Sequence, residues 1–219
     1  MSKTNANTTR DDGHKKVQLW KNGPYWADVN IGAHDPWEHG YYFWWGDTVG
    51  YKYESGRGWV ASDGSSSGFS FDSEAMPTYD KSWSALKSEG WITADNVLAP
   101  KHDAAQVQWG DGWRMPTKQE LDDLKTKCDL RWTKMDGVDG YAVRGRGKYA
   151  SASIFLPCAG YGTGTSLNGA GSRGYYWSSV PYSGSYTAGG LNFNSGDHGT
   201  GYYYRNDGQS IRPVQGFTK

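Results

Sequence analysis

Residues 109–124 read WGDGWRMPTKQELDDL, and this stretch carries the clearest local structure in the chain. Thr117 is followed three residues later by Glu120, so each side chain can satisfy a backbone N–H at a helix start. Leu121, Leu124 and Cys128 then recur at helical spacing and define one buried face. The spacing predicts a helix opening at Thr117. Upstream, Pro100 suits a first helical position and Gly110 a stop, which predicts another helix through His102, Asp103, Ala104 and Ala105.

On both sides of this helical centre the chain reads as strand. Val17, Leu19, Trp26 and Val29 are broken by a turn at Asn22-Gly23-Pro24, giving two short strands. Tyr41-Tyr42-Phe43-Trp44-Trp45 reads as a core strand closed by Gly46-Asp47. Residues 46–75, with DGSSSG at 63–68, read as a long surface excursion. Residues 141–143 and 153–156 read as strands, and Leu191, Phe193 and Ile211 offer the alternation of a half-buried one. The expectation is one α+β domain over 17–219, behind a polar, disordered leader over 1–16. That leader has no apolar core of the kind a secretory signal needs.

Composition narrows the function classes. The chain has 219 residues, of which 36% are hydrophobic but 16% are aromatic, so Trp, Tyr and Phe rather than aliphatics must build the core. With 31 glycines beside those rings, short strands and many turns are expected. Twenty-three basic and 23 acidic residues cancel, leaving no basic field for a nucleic-acid partner. No apolar run is long enough for a membrane span. Cys128 and Cys158 have no CxxC spacing; a bridge between them is possible, but a chain of this size does not need one.

From Tyr161 the composition changes. Between Tyr161 and Ser210 there is no Lys and no Glu, and Gly, Ser, Tyr, Asn and Thr dominate. Tyrosine supplies rigid amphipathic contact area, and Ser, Gly and Asn supply adaptable hydrogen bonds, as in antibody paratopes. Eight tyrosines in this stretch would each need a hydroxyl partner if buried, so half-exposed rings are expected.

Five blocks resemble a known family: residues 26–47 (WADVNIGAHDPWEHGYYFWWGD), 109–124, 153–160 (SIFLPCAG), 176–179 (YWSS) and 210–214 (SIRPV). They are similar, in the same order, to a paralogous domain of Bacteroidetes and Fibrobacter surface proteins. That family belongs to the formylglycine-generating-enzyme branch of the C-type lectin fold, which also carries the variable proteins of diversity-generating retroelements in phages and bacteria. The resemblance implies a C-type-lectin-like fold, with two helices, short antiparallel strands and long loops. It further implies a rigid frame displaying a variable region at about 161–210. Such retroelements rewrite adenines, and randomised Asn codons yield Tyr, Ser, Asp, Gly, His and Thr but never Lys or Glu.

The residues expected to face a ligand are Ser172, Tyr175, Tyr182, Ser183, Ser185, Tyr186, Asp197, His198, Gly199, Tyr202, Tyr203, Tyr204 and Asp207. Tyr182, Tyr186, Tyr202 and Tyr203 are expected to share one contiguous surface. Replacing Tyr203 by Ala should then remove affinity and spare stability. Trp177, Leu191, Phe193, Ile211 and Val214 are expected in the core, with Arg212 as an internal ion pair or carbonyl clamp.

Other chemistries fit less well. The enzymes of the resembled branch oxidise a substrate cysteine with a close copper-binding cysteine pair, and neither Cys128 nor Cys158 lies in the C-terminal region where that pair is expected. His34, Asp35, Glu38 and His39 are dense in metal-ligand types, but Pro36 prevents a helix that would align both histidines. Asp11, Asp12 and His14 read as polar leader. The Glu-Pro-Asn and Trp-Asn-Asp signatures of calcium-dependent sugar binding are missing, and so are phosphate-loop, nucleophile-elbow and dinucleotide fingerprints. The expectation is therefore a non-enzymatic display protein without catalytic residues, metal or cofactor. Its partner would be a protein or glycan on a target cell surface, met from a phage virion or an extracellular or bacterial cell surface. The alternative is a surface-lipoprotein domain of the same family without diversification, and after it an oxidase of the formylglycine-generating type.

Overall fold

The structure, a computed structural model, describes residues 8–10, 13–72, 76–110 and 112–216. In chain order the strands are β1 (Thr8–Arg10), β2 (Lys15–Gln18), β3 (Tyr25–Ala27), β4 (Tyr51–Glu54), β5 (Gly58–Ala61), β6 (Ser67–Phe69), β7 (Trp113–Arg114), β8 (Cys128–Met135), β9 (Val138–Gly145), β10 (Ser153–Pro157), β11 (Tyr161–Thr163), β12 (Ser166–Asn168), β13 (Gly174–Pro181), β14 (Thr187–Phe193), β15 (His198–Tyr204) and β16 (Val214–Gln215). Three short α-helices fall between β6 and β8: α1 (Trp83–Ser88), α2 (Ala104–Trp109) and α3 (Lys118–Lys127).

These elements correct the expected fold class. The chain is mostly β, with 40% strand against 14% helix in five small antiparallel sheets, and it is not an α+β C-type-lectin-like fold. The physical reason lies in the helices themselves. Both expected helices exist, but Gly110 ends α2 after six residues and α3 spans ten, too little to form a layer of their own. Antiparallel hairpins supply the rest.

The sheets run in the orders β1-β2-β3-β16-β7, β10-β9-β8, β13-β14-β15, β4-β5-β6 and β11-β12. The first closes the molecule, since Val214 of β16 pairs with both Trp26 of β3 and Arg114 of β7. Part of the expected leader joins it, because β1 pairs antiparallel with β2; Asp11 and Asp12 lie outside the described residues, and His14 stacks on Trp109 at 3.7 Å. The aromatic run 41–45 forms no ladder strand. Tyr42 and Phe43 make only single bridges, to Tyr51 and Gln209. Conversely, the Ser- and Gly-rich excursion contains the β4–β6 meander, in which Tyr51 stacks on Phe69 and both rings meet Phe71 over buried Trp59.

Rings build the core. Trp26, Trp45, Trp59, Trp113 and Trp177 are fully buried. Trp177 and Trp45 also satisfy their indole N–H groups on carbonyls, donating to Phe43 at 2.7 Å and to Ser178 at 2.9 Å. Leu191, Phe193, Ile211 and Val214 are buried with them. Helix α3 opens on the reciprocal cap: Thr117 accepts from the Glu120 N–H at 3.2 Å and Glu120 accepts from the Thr117 N–H at 2.8 Å. Leu121 and Leu124 turn inward, and the helix packs against β13, β14 and β15. Among the described residues no helix is long and apolar enough to cross a membrane.

Candidate functional site

The sheet β13-β14-β15 carries most of the residues singled out in the sequence. Directly paired residues share a face of a sheet and neighbours along a strand alternate, so the register sorts the side chains. Tyr176 pairs with Leu191 and Leu191 with Thr200, while Gly189 pairs with Tyr202 and Thr187 with Tyr204. This face turns to α3. There Thr200 donates to Asp122 at 2.5 Å and accepts from Lys118 at 3.0 Å. On the opposite face, Trp177 pairs with Gly190, Gly190 with Gly201, and Ala188 with Tyr203.

At the α3 end of the first face, the tyrosines emerge as a row. Tyr182, Tyr186, Tyr202 and Tyr204 are 44%, 46%, 47% and 57% exposed. The Tyr182 and Tyr202 rings meet at 4.4 Å, and Lys118 Nζ stands 5.6 Å from the Tyr202 ring. Tyr79, from the loop before α1, links the other two, at 5.1 Å from Tyr186 and 6.4 Å from Tyr204.

Arg205 holds this row in place. It is fully buried, and its guanidinium donates to the carbonyls of Thr187, Thr78, Lys81 and Gly184 at 2.8–3.3 Å. Its own N–H donates to Tyr186 O at 2.8 Å. The side chain thus ties the 182–187 turn to the 78–81 loop. Tyr186 has φ 76°, a conformation that a bulky side chain adopts only under constraint from its surroundings.

Tyr203 does not belong to the row. Its ring lies on the other face, edge-on to Tyr175 at 5.5 Å and 6.5 Å from Trp177. Glycines make the bed: a Cβ on Gly201 would stand 2.9 Å from the Tyr203 hydroxyl, and one on Gly190 3.1 Å from its ring. Tyr175 continues the line to Tyr161 at 4.8 Å. Burial pushes the Tyr203 hydroxyl up to about 12.

The expected residues therefore divide rather than converge. Ser183 and Ser185 sit in the turn with Tyr182 and Tyr186; Tyr175, Gly199 and Tyr203 share the opposite face. Asp197 caps the β14–β15 turn by accepting from the His198 N–H, and His198 packs edge-on to Tyr141 at 5.4 Å. These two lie at the far end of β15 from Tyr204, about 20 Å along the strand. Ser172 closes its own turn onto Gly169 O. Asp207 follows β15, and burial alone raises its carboxyl to about 7. Tyr79, Tyr161, Lys118 and Arg205 were not legible as site residues.

The alternative chemistries have observable fates. Cys128 and Cys158 are free and buried, and burial pushes both thiols up to about 12, far from the thiolate form that attacks or ligates. Glu38 accepts from the N–H groups of His34 and Asp35, folding its own loop. Among the described residues no group of three or more His, Cys, Asp or Glu is placed to hold a metal ion. Arg212 is a carbonyl clamp, donating to Ala27, Asp28 and Phe155 as well as to Asn30.

The architecture defines a mostly β protein with a tyrosine-lined sheet edge. Residues 141–214, which run from within β9 into β16, match the model of a family described as a domain of unknown function (DUF8237). No curated protein and no solved structure matches the chain.

Proposed function

We propose that the protein is a display protein that binds ligand through the row Tyr182, Tyr202, Tyr204 and Tyr186, and that a retroelement diversifies this surface. What carries the reading is that four large rings stand half-exposed around one end of the sheet, Tyr182 against Tyr202, and Tyr186 and Tyr204 both against Tyr79. An exposed patch of this kind marks an interaction site, and tyrosines at a rigid surface lose little entropy on contact. The missing Lys and Glu between 161 and 210 support the diversification half of the proposal. The partner is a protein or glycan on a target cell, and the protein works from a phage virion or a bacterial or extracellular surface.

The test is the gene. Sister copies and any neighbouring template repeat should differ at the tyrosine, serine and glycine positions of 182–204, through adenine changes alone. Trp177, Leu191, Phe193 and Ile211 should stay fixed. Lys or Glu scattered through the row would end the diversification reading and leave the alternative, a surface-lipoprotein domain with an invariant face.

A further inference from the structure

A second recess lies away from the tyrosine row and shares no residue with it. A cleft of about 490 Å³ opens between the 31–42 loop and β4, with Trp37, Glu38, His39, Tyr41, Lys52 and Tyr53 on its walls. Its volume falls in the range of roughly 300–1,000 Å³ of small-ligand sites.

The loop that forms it is tightly built. Tyr41 N–H donates to Ile31 O at 2.8 Å and Asn30 Nδ2 to His39 O at 2.9 Å, closing the loop across its base. Asn30 is fully buried and is itself held by Arg212 Nε at 2.9 Å. Gly32, at φ +82°, leaves no room for a Cβ, which would stand 2.3 Å from the Tyr41 ring. The ring therefore rests on bare backbone in one orientation. Such preorganisation lowers the ordering cost of binding.

The cleft's chemistry selects the occupant. Trp37 and Tyr41 are half-buried and Tyr53 is 40% exposed, so each leaves ring surface on the cleft wall. The polar fittings are mixed: the Glu38 carboxylate accepts, Lys52 donates, and His39 Nε2 has no hydrogen-bond partner among the described residues. Lys52 is offset by the Glu38 carboxylate, and burial disfavours a charged His39, so the walls, which also include His34, lack the clustered positive charge that phosphate calls for. The open, mixed lining equally offers no dry enclosure for an acyl chain. A neutral polyhydroxylated ring, apolar on its CH faces and polar around its edge, matches both halves of the lining.

We propose that this cleft is a carbohydrate site, in which a pyranose stacks on Trp37 and Tyr53 and its hydroxyls meet Glu38, His39 and Lys52. Sugar binding here needs no calcium. It is independent of the tyrosine row, so either proposal can fail alone.

The experiment titrates the full chain with cellotriose, maltotriose, chitotriose and lactose in the presence of EDTA, read by tryptophan fluorescence and calorimetry. At least one should bind at roughly millimolar Kd or tighter. Tyr53→Ala should weaken it at least about tenfold, whereas Tyr202→Ala and Tyr204→Ala should leave it unchanged. Tyr53 is 40% exposed but its ring packs edge-on to buried Trp59 at 5.0 Å, so circular dichroism and a urea midpoint check the fold of Tyr53→Ala. Tyr53→Phe, which keeps that packing, should retain most of the affinity. Trp37→Phe should retain part of the affinity that Trp37→Ala loses. Failure of all four sugars to bind, binding indifferent to Tyr53→Ala, or preferential binding of a sugar phosphate or an extended peptide would each overturn the proposal.

Discussion

Tyr202 and Tyr203 are consecutive in β15 and send their rings to opposite faces of one sheet, Tyr202 to Tyr182 at 4.4 Å and Tyr203 to Tyr175 at 5.5 Å. The period of two along a strand makes this unavoidable. It corrects the expectation that Tyr203 shares a surface with Tyr182, Tyr186 and Tyr202. It also reverses the energetic expectation for Tyr203. Tyr203→Ala removes a ring packed over Gly190 and Trp177 and should cost about 1–2 kcal/mol. Tyr202→Ala, at a rim position, should stay within about 0.5 kcal/mol of wild type. Urea denaturation of the two variants decides the matter; equal midpoints would place both rings outside the packed frame.

Arg205 is the residue on which the row depends without being part of it. Among the described residues no carboxylate is a hydrogen-bond partner of Arg205; it faces four carbonyls and the Trp45 ring, 5.3 Å from the guanidinium carbon. Arg205→Met keeps the bulk and strands those carbonyls away from water. Each buried polar group left unmade costs roughly 1–3 kcal/mol, so the loss should be at least about 3 kcal/mol. Proteolysis should then open first at 182–186. A variant with wild-type stability and an intact turn would refute the clamp.

How much was legible follows from how local each interaction is. The α3 cap was readable because Thr117 and Glu120 satisfy each other within one turn. Leu191 and Phe193 were readable as core because alternation writes burial into the sequence. The pairing of Val214 with Trp26 and Arg114 has no local signal at all. Nor does the approach of Tyr79 to Tyr186, which joins a loop before α1 to a turn after β13. The fold class was misjudged for the same reason: helix caps announce themselves, whereas strands of three or four residues in Ser- and Gly-rich sequence, such as β4 to β6, do not. The tyrosine composition marked the segment that carries the exposed rings, but only the register could divide it between two faces.

The cysteines give a simple chemical prediction. Both thiols are buried, unpaired and held in the protonated form at neutral pH. A disulfide-exchange reagent should leave the native protein unmodified and titrate two thiols after unfolding in denaturant. Reducing agent should leave the melting temperature unchanged. Fast reaction of either thiol in the native state would contradict the packing around Cys128 and Cys158.

Asp207 should make stability fall as pH rises. Burial lifts its carboxyl from 3.8 to about 7 in the folded protein. Between those values the native state keeps a proton that the unfolded chain has released, so the native state binds more protons and stability declines with pH. Below the window both states are protonated, and above it both are ionised, so the slope vanishes at either end. Within it the slope from one such group is no more than about 1.4 kcal/mol per pH unit. Asp47 and Asp103 are raised by burial to about 6 and act in the same sense, but their window closes sooner. Asp207 therefore contributes the larger share of the decline above about 6, against His39 and His102, whose pKa values burial lowers and which act in the opposite sense. Asp207→Asn is neutral and nearly isosteric, and it should flatten that part of the curve while leaving the lower part in place. Denaturant midpoints measured from about pH 4 to about pH 8 provide the comparison; a wild-type and variant difference that stays constant across that range would mean that Asp207 ionises in the folded state as freely as in the unfolded chain.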